Sequence, residues 1–199
     1  LDEEALKRNA HARDMVLGKY HELFSAEHIP KLTKEEFYSF LLIENNHHWT
    51  GLHRQGPSVT RNMGKLREAL LILADDSASV GKRLDIAAPM VSGMGKAIAT
   101  AVLLMMFPDK YGVWNTTSEG ALVALGLWPD FPRGTSFGSK YENINQILSH
   151  LAKTIEVDLW TLDGLFWRFL GRHEGKAAEA GETEAEEDAD NGQQLFGLE

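Results

Sequence analysis

The chain has no cysteine. That excludes disulfide cross-links, thiolate zinc sites, cysteine-held iron–sulfur clusters and a thiol nucleophile. A cysteine-free chain also suits a reducing compartment, so a cytoplasmic location is the expectation. Long apolar runs are missing as well. The longest, Ala97 to Phe107, falls short of the roughly 18 residues that span a bilayer, so no membrane partner is expected. No secretory leader is recognisable, and because the chain begins with Leu1 rather than Met, a piece of a longer protein is the expectation. Strand-like alternation and internal repeats are absent too. So are a Walker loop, a Gly-x-Ser-x-Gly elbow and a His-Glu-x-x-His pair.

Positive charge is scarce overall, with a formal net charge of −9 over 199 residues. The deficit is local. Residues 174–199 carry nine acidic residues and one basic one, leaving 19 of the 20 Lys and Arg and 20 of the 29 Asp and Glu in residues 1–173. A nearly neutral body can still carry a basic face, so total charge does not exclude nucleic acid as a partner. The 174–199 segment, rich in Glu, Ala, Gly and Asp, reads as an acidic flexible tail. Its apolar end, Leu195-Phe196-Gly197-Leu198, is the expected beginning of something further.

What is present is helical. A loose apolar stripe of Ala5, Met15, Val16, Tyr20, Leu23 and Phe24 predicts a helix over residues 2–25. Thr33-Lys34-Glu35-Glu36 reads as a capping box opening a second. After a polar, aromatic loop from Asn45 to Pro57, Ser58 is the expected cap of a third, carrying Met63, Leu66, Leu70 and Leu73. Residues 75–89 read as irregular. Lys96 to Phe107 is a strongly apolar helix ended by Pro108. Asn115-Thr116-Thr117 caps another, stopped at Gly126. Tyr141 to Ile155 and a helix capped by Asp158 complete an all-α domain over residues 1–173.

The chemistry concentrates at Val91-Ser92-Gly93-Met94-Gly95-Lys96. Two glycines one residue apart permit positive φ and close backbone approach. The amides after them open a helix, where unpaired N–H groups and the dipole attract an anion. A DNA phosphate is the natural occupant, with Ser92, Gly93, Met94, Gly95, Lys96 and Thr100 as the contacting set. A plain tight turn between two helices is the competing reading. Asn46 and Trp49 lie in a second polar, aromatic stretch. They could bond and stack a base, with Arg54 and Arg61 on phosphates; the alternative is a capped loop with Trp49 in the core. Trp114 beside Asn115 is a further base-pocket candidate, weighed against a core plug and a helix cap. A metal site on His47, His48 and His53 is disfavoured, because adjacent histidines diverge and no carboxylate pair completes the set. No cofactor is expected.

The order of these segments resembles the helix-hairpin-helix DNA glycosylases, the endonuclease-III-like superfamily. There a Leu-Pro-Gly-Val-Gly hairpin opens an apolar helix, a Val-Asp-Thr-His segment follows, and a helix ending near Leu-Gly comes next. Gly93, Gly95, Ala99, Val113 and Thr116 match or nearly match, within Val91 to Leu127. The resemblance implies a helical domain that binds DNA. It also implies lost catalysis: Asn115 stands where the family has its catalytic aspartate, and Ala97 where bifunctional members carry a lysine nucleophile. The stretch from Phe40 to Trp167 resembles N-terminal regions of bacterial proteins whose C-terminal part is a nuclease, and Gln194 to Glu199 resembles the opening of such a domain. That implies target recognition in a restriction, defence or repair nuclease. The rival expectations are an active glycosylase using Asp109 or Glu119 as its acid, and a helical module that binds protein.

Overall fold

A computed structural model describes residues 3–171. The acidic segment 174–199 lies outside the described residues. The architecture is all-α, with no strand among the described residues. The described residues form ten α-helices in order: α1 (Glu3–Leu23), α2 (Lys34–Leu41), α3 (Ile43–Asn46), α4 (Gly56–Val59), α5 (Met63–Ala74), α6 (Val80–Ala87), α7 (Lys96–Met106), α8 (Thr116–Ala124), α9 (Phe137–Thr154) and α10 (Leu159–Phe169). No described helix is long and apolar enough to cross a membrane.

Local sequence sets most of the boundaries. Thr33 and Glu36 form the expected capping box, the Thr33 side chain accepting from the Glu36 amide and the Glu36 carboxylate from the Thr33 amide. The hydrogen bond from the Thr33 amide holds the Glu36 carboxyl below its ordinary range, because it favours the charged form. Asn115 and Asp158 cap α8 and α10 as their spacing predicts. Gly126, at φ +69°, ends α8. Its neighbour Leu127 donates to Leu122 O at 2.8 Å, which is the Schellman arrangement. Glu156 does the same work after α9 with a side chain in the way: its φ is +56°, and Val157 donates to Ala152 O at 2.9 Å. An L residue in this region costs about 1–2 kcal/mol. Glu156→Gly should therefore stabilise the domain by about 1 kcal/mol after glycine's own entropic cost. A urea titration checks this, and a midpoint below the parent's would contradict it.

Three expectations need correction. Residues 80–87 are not irregular but form α6, capped by Ser79. The cap of α5 is Asn62 rather than Ser58, because Ser58 is taken up in the short turn α4, entered through Pro57. Helix α9 starts at Phe137, capped by Ser136, four residues before the expected Tyr141.

The core is built around α7, all eleven of whose residues are buried. A helix apolar all round belongs inside. Helix α1 lies against α7 and α10; it buries Val16 and Tyr20, and Tyr20 with Phe24, just past its end, packs on Phe37 and Phe40 of α2. Helices α6 and α9 make the most extensive pairing. It is glycine-mediated. Gly81 donates to Glu142 Oε1 at 2.9 Å, Gly138 donates to Asp85 Oδ1 at 2.7 Å, and a Cβ on Gly138 would stand 1.9 Å from Gly81 O. Under this pairing, buried Arg83 donates to Leu73 O and to the Tyr111 hydroxyl, both at 2.5 Å. Tyr141 donates to Gly112 O at 2.7 Å, and burial pushes its phenol well above the ordinary range, so it stays a donor.

Candidate nucleic-acid interface

Helix α6, extended by a 3-10 turn over Ala88–Met90, runs into a tight turn and then into α7. The turn closes by a bond from the Met94 amide to Val91 O at 3.1 Å. Gly93 sits at φ +84°. A Cβ there would lie 3.0 Å from Ser58 Cβ and 3.1 Å from both Gln55 Oε1 and Val59 Cγ2. Glycine is thus needed for two reasons, conformation and space. The same contacts seat the turn on α4, so that the Arg54–Ser58 segment and the 91–95 turn, 37 residues apart in sequence, share one surface.

Gly95 is extended (φ −78°, ψ −174°) and stands at the N-cap of α7, where no side chain supplies a cap. Helices α2, α5, α6, α8, α9 and α10 each have a side chain bonding their first-turn amides, whereas α7 shares the lack of one with the four-residue α3 and α4. An uncapped first turn leaves its amides to water or a ligand. Ser92 is exposed and Gly93 and Gly95 are partly so, which gives an anion a route to that end.

The side chains expected to help divide sharply. Met94 is a core residue, 2% exposed. Lys96 turns inward: its side chain is 7% exposed, its Nζ is 2.8 Å from Glu119 Oε2, and it lies 5.7 Å from the Trp114 ring centroid. Its charge is therefore spent on the partly exposed Glu119 carboxylate, not offered to a phosphate. Thr100 is buried. Its hydroxyl donates to Lys96 O at 2.7 Å and accepts from the Trp114 amide at 2.9 Å, which ties the 111–115 connector to α7. Arg54 is half-buried, and Arg61 is exposed at the entry to α5. Of the eight residues read as DNA-contacting, Ser92, Gly93, Gly95, Arg54 and Arg61 reach the surface.

The base-pocket residues do not present themselves to a base. Asn46 is fully buried and its amide is saturated. Its Nδ2 donates to Phe40 O (3.1 Å) and Trp49 O (3.2 Å), while Oδ1 accepts from the amides of His48 (2.9 Å) and Trp49 (2.7 Å). Trp49 is in the core and donates from Nε1 to Asp163 Oδ2 at 3.0 Å. Trp114 is buried and stacks on Phe137 at 5.5 Å. Asn115 caps α8, its Oδ1 accepting from the Ser118 amide at 2.8 Å. In each case the structural reading of the residue is the one observed, and the base-pocket expectation gives way because ring faces and amides are already occupied.

The three histidines part company. His48 Nε2 lies 2.8 Å from Asp163 Oδ2, and its ring packs 4.3 Å from that of Trp160. His53 Nδ1 bonds Thr50 O at 3.0 Å, and His47 is exposed. No group of three or more His, Asp or Glu among the described residues is placed to hold a metal. Asp109, one rival acid, is exposed just after α7. Glu119, the other, is paired with Lys96 and also accepts from Trp114 Nε1 at 3.3 Å.

Sequence reasoning missed two clusters. The first is His48–Asp163–Trp49, in which Asp163 lies 114 residues from Trp49 and shares no motif with it. The second joins Lys65 to Arg61 at the entry to α5, described below; its signal was a lysine in the first turn of a helix that carries no acid there. Comparison of the chain with known family models, curated proteins and solved structures finds no match.

Proposed function

We propose that this domain binds DNA through the helix–turn–helix formed by α6, the 91–95 turn and α7, meeting the phosphate backbone with main-chain amides rather than with Lys96. The uncapped N-terminus of α7 behind Gly93 and Gly95 carries this reading. The turn's seating on α4 supports it, because Gln55 and Ser58 then stand against Gly93 at the entry to the helix. On this reading the motif is a helix-hairpin-helix. Its contacts fix position without reading sequence.

The domain itself is a recognition module and not a glycosylase. Asn115 has a cap's bonding, and Lys96 and Glu119 neutralise each other. Neither group is therefore set to stabilise a sugar cation or attack one. The cutting chemistry of a restriction, defence or repair nuclease would reside in a different part of such a protein. A protein-binding reading has one observation in its favour: Val123, Leu125 and Leu127 are all exposed around the end of α8, and apolar side chains clustered on a surface mark contact sites. Salt separates the two. Duplex binding titrated from 50 to 200 mM salt should weaken steeply if phosphates are met, since the slope is roughly −0.9 per phosphate neutralised. Apolar docking should be nearly flat.

A further inference from the structure

The corner between α4 and α5 carries two cations that the fold does not use. Arg61 follows Thr60, whose hydroxyl closes α4 by donating to Gly56 O at 2.7 Å. Lys65 lies in the first turn of α5. Both are exposed, and neither has an ion pair or a side-chain hydrogen bond among the described residues. The surface between them is low. Asn62 folds its side chain back to accept from the Lys65 amide at 3.1 Å, Met63 is half-buried, and Gly64 has no side chain. The result is a flat strip of backbone with a cation at each end, open to close approach. The one acid on α5 is Glu68, exposed one turn beyond Lys65.

Lys65 does not help its own helix. The N-terminal end of a helix is its positive end, where a carboxylate is favourable and an ammonium opposes the dipole. Helix α5 has no acid in its first turn, whereas α2 has Glu35 and Glu36 there. Positive charge therefore accumulates at this corner, and its position gives the charge a use. The Arg61 amide donates to Ser58 O at 3.3 Å, so Arg61 is one turn from the residue that seats the 91–95 turn. A Cβ on Gly93 would lie 3.0 Å from Ser58 Cβ. The 3-10 turn Ala88–Met90, which leads into the 91–95 turn, also packs on α5. Gly93, Ser58, Arg61 and Lys65 thus form a run of neighbours from the hairpin to α5.

We infer that the DNA strand whose phosphate is held at the turn continues across this corner, with Arg61 and Lys65 meeting neighbouring phosphates of the same strand. The inference rests on the hairpin reading and supplies the cations that Lys96 withholds. Main-chain amides bring no net charge, whereas each Lys or Arg placed on a phosphate releases counterions from the duplex. Each strand offers a phosphate about every 3.4 Å along the axis, so a strip with a cation at each end spans more than one. The corner positions the duplex without reading its bases.

The test is the affinity of the full chain for a short duplex, measured by fluorescence anisotropy over a salt series. Arg61→Ala with Lys65→Ala should weaken binding about tenfold or more and make the salt slope shallower by about 1.8, two phosphate contacts at roughly 0.9 each. Glu68→Lys adds a cation on the same helix face, and should tighten binding and steepen the slope. Lys65→Glu should move two readings in opposite directions. Affinity falls, while the melting temperature holds or rises because a carboxylate suits the first turn. A merely structural role would lower both together. Ser92→Glu separates this inference from the hairpin reading. A double alanine variant with parental affinity and slope, beside a weakened Ser92→Glu, overturns the inference and leaves the hairpin standing. A weakened double variant beside a parental Ser92→Glu overturns both, because the corner would then act without the turn. Parental binding by a folded Lys65→Glu also overturns the inference, and absence of salt-dependent binding by the parent overturns both.

Discussion

Gly138→Ala is expected to destabilise the domain by about 3 kcal/mol or more, a fall of roughly 6–12 °C in melting temperature for a chain of this size. A methyl group on Gly138 would sit 1.9 Å from the Gly81 carbonyl oxygen. That neighbour is backbone, not a side chain that can rotate away, so α6 and α9 must separate. Separation would stretch the Gly138–Asp85 and Gly81–Glu142 bonds together. It would also disturb the first helix of the proposed hairpin. Thermal melting followed by circular dichroism measures the effect. A melting point within about 2 °C of the parent would show that the two helices are not in such close contact.

Lys96→Glu should be nearly as damaging, and for a reason that changes how it is interpreted. The substitution removes the buried cation of an ion pair and places a second carboxylate beside Glu119. Breaking one side of a buried pair commonly costs about 3–5 kcal/mol. Weaker DNA binding by this variant would then report loss of folded protein and not loss of a phosphate contact. Lys96→Met is the discriminating companion. It keeps the aliphatic stem over Trp114, and it leaves Glu119, whose side chain is 34% exposed, access to water. It should retain DNA binding when assayed under conditions where it is folded. A cooperative melt of Lys96→Glu at the parental temperature would contradict the ion pair. A folded Lys96→Met that no longer binds duplex would return Lys96 to the phosphate.

The contrast between these residues shows which features sequence can carry. Caps and stops are local, so Thr33, Asn115, Asp158 and Gly126 could be recognised from their neighbours along the chain. Helix α6 could not. Its buried positions are Val80, Gly81, Arg83, Leu84 and Ala87, so a glycine and an arginine occupy core positions and leave only a short apolar stripe. The reason for both lies elsewhere, in Gly138 and in Tyr111. Lys96 misled for the same kind of reason. Beside a Gly-x-Gly turn it resembles an anion-binding residue, and only packing brings Glu119, 23 residues on, to its Nζ. Asn46 and Trp49 carry the functional groups of a base reader, but the partners that occupy them are a helix end and Asp163. At the turn the glycines divide: Gly93 has the positive φ that only its residue type signals, while Gly95 is in extended backbone that any residue adopts.

The claim that main-chain amides at this turn meet DNA rests on Ser92, Gly93 and Gly95. Ser92→Glu tests it with least disturbance, since Ser92 is exposed and the substitution places a carboxylate at the mouth of the turn without touching the core. The measurement is duplex affinity by fluorescence anisotropy across 50–200 mM salt, parent and variant side by side, each checked for an unchanged melt. The account predicts steeply salt-dependent binding by the parent. It predicts a loss of about tenfold or more in the variant, equivalent to about 1.4 kcal/mol, with a shallower slope. Parental affinity and slope in a folded Ser92→Glu protein, or no salt-dependent duplex binding by the parent at 50 mM, would contradict it.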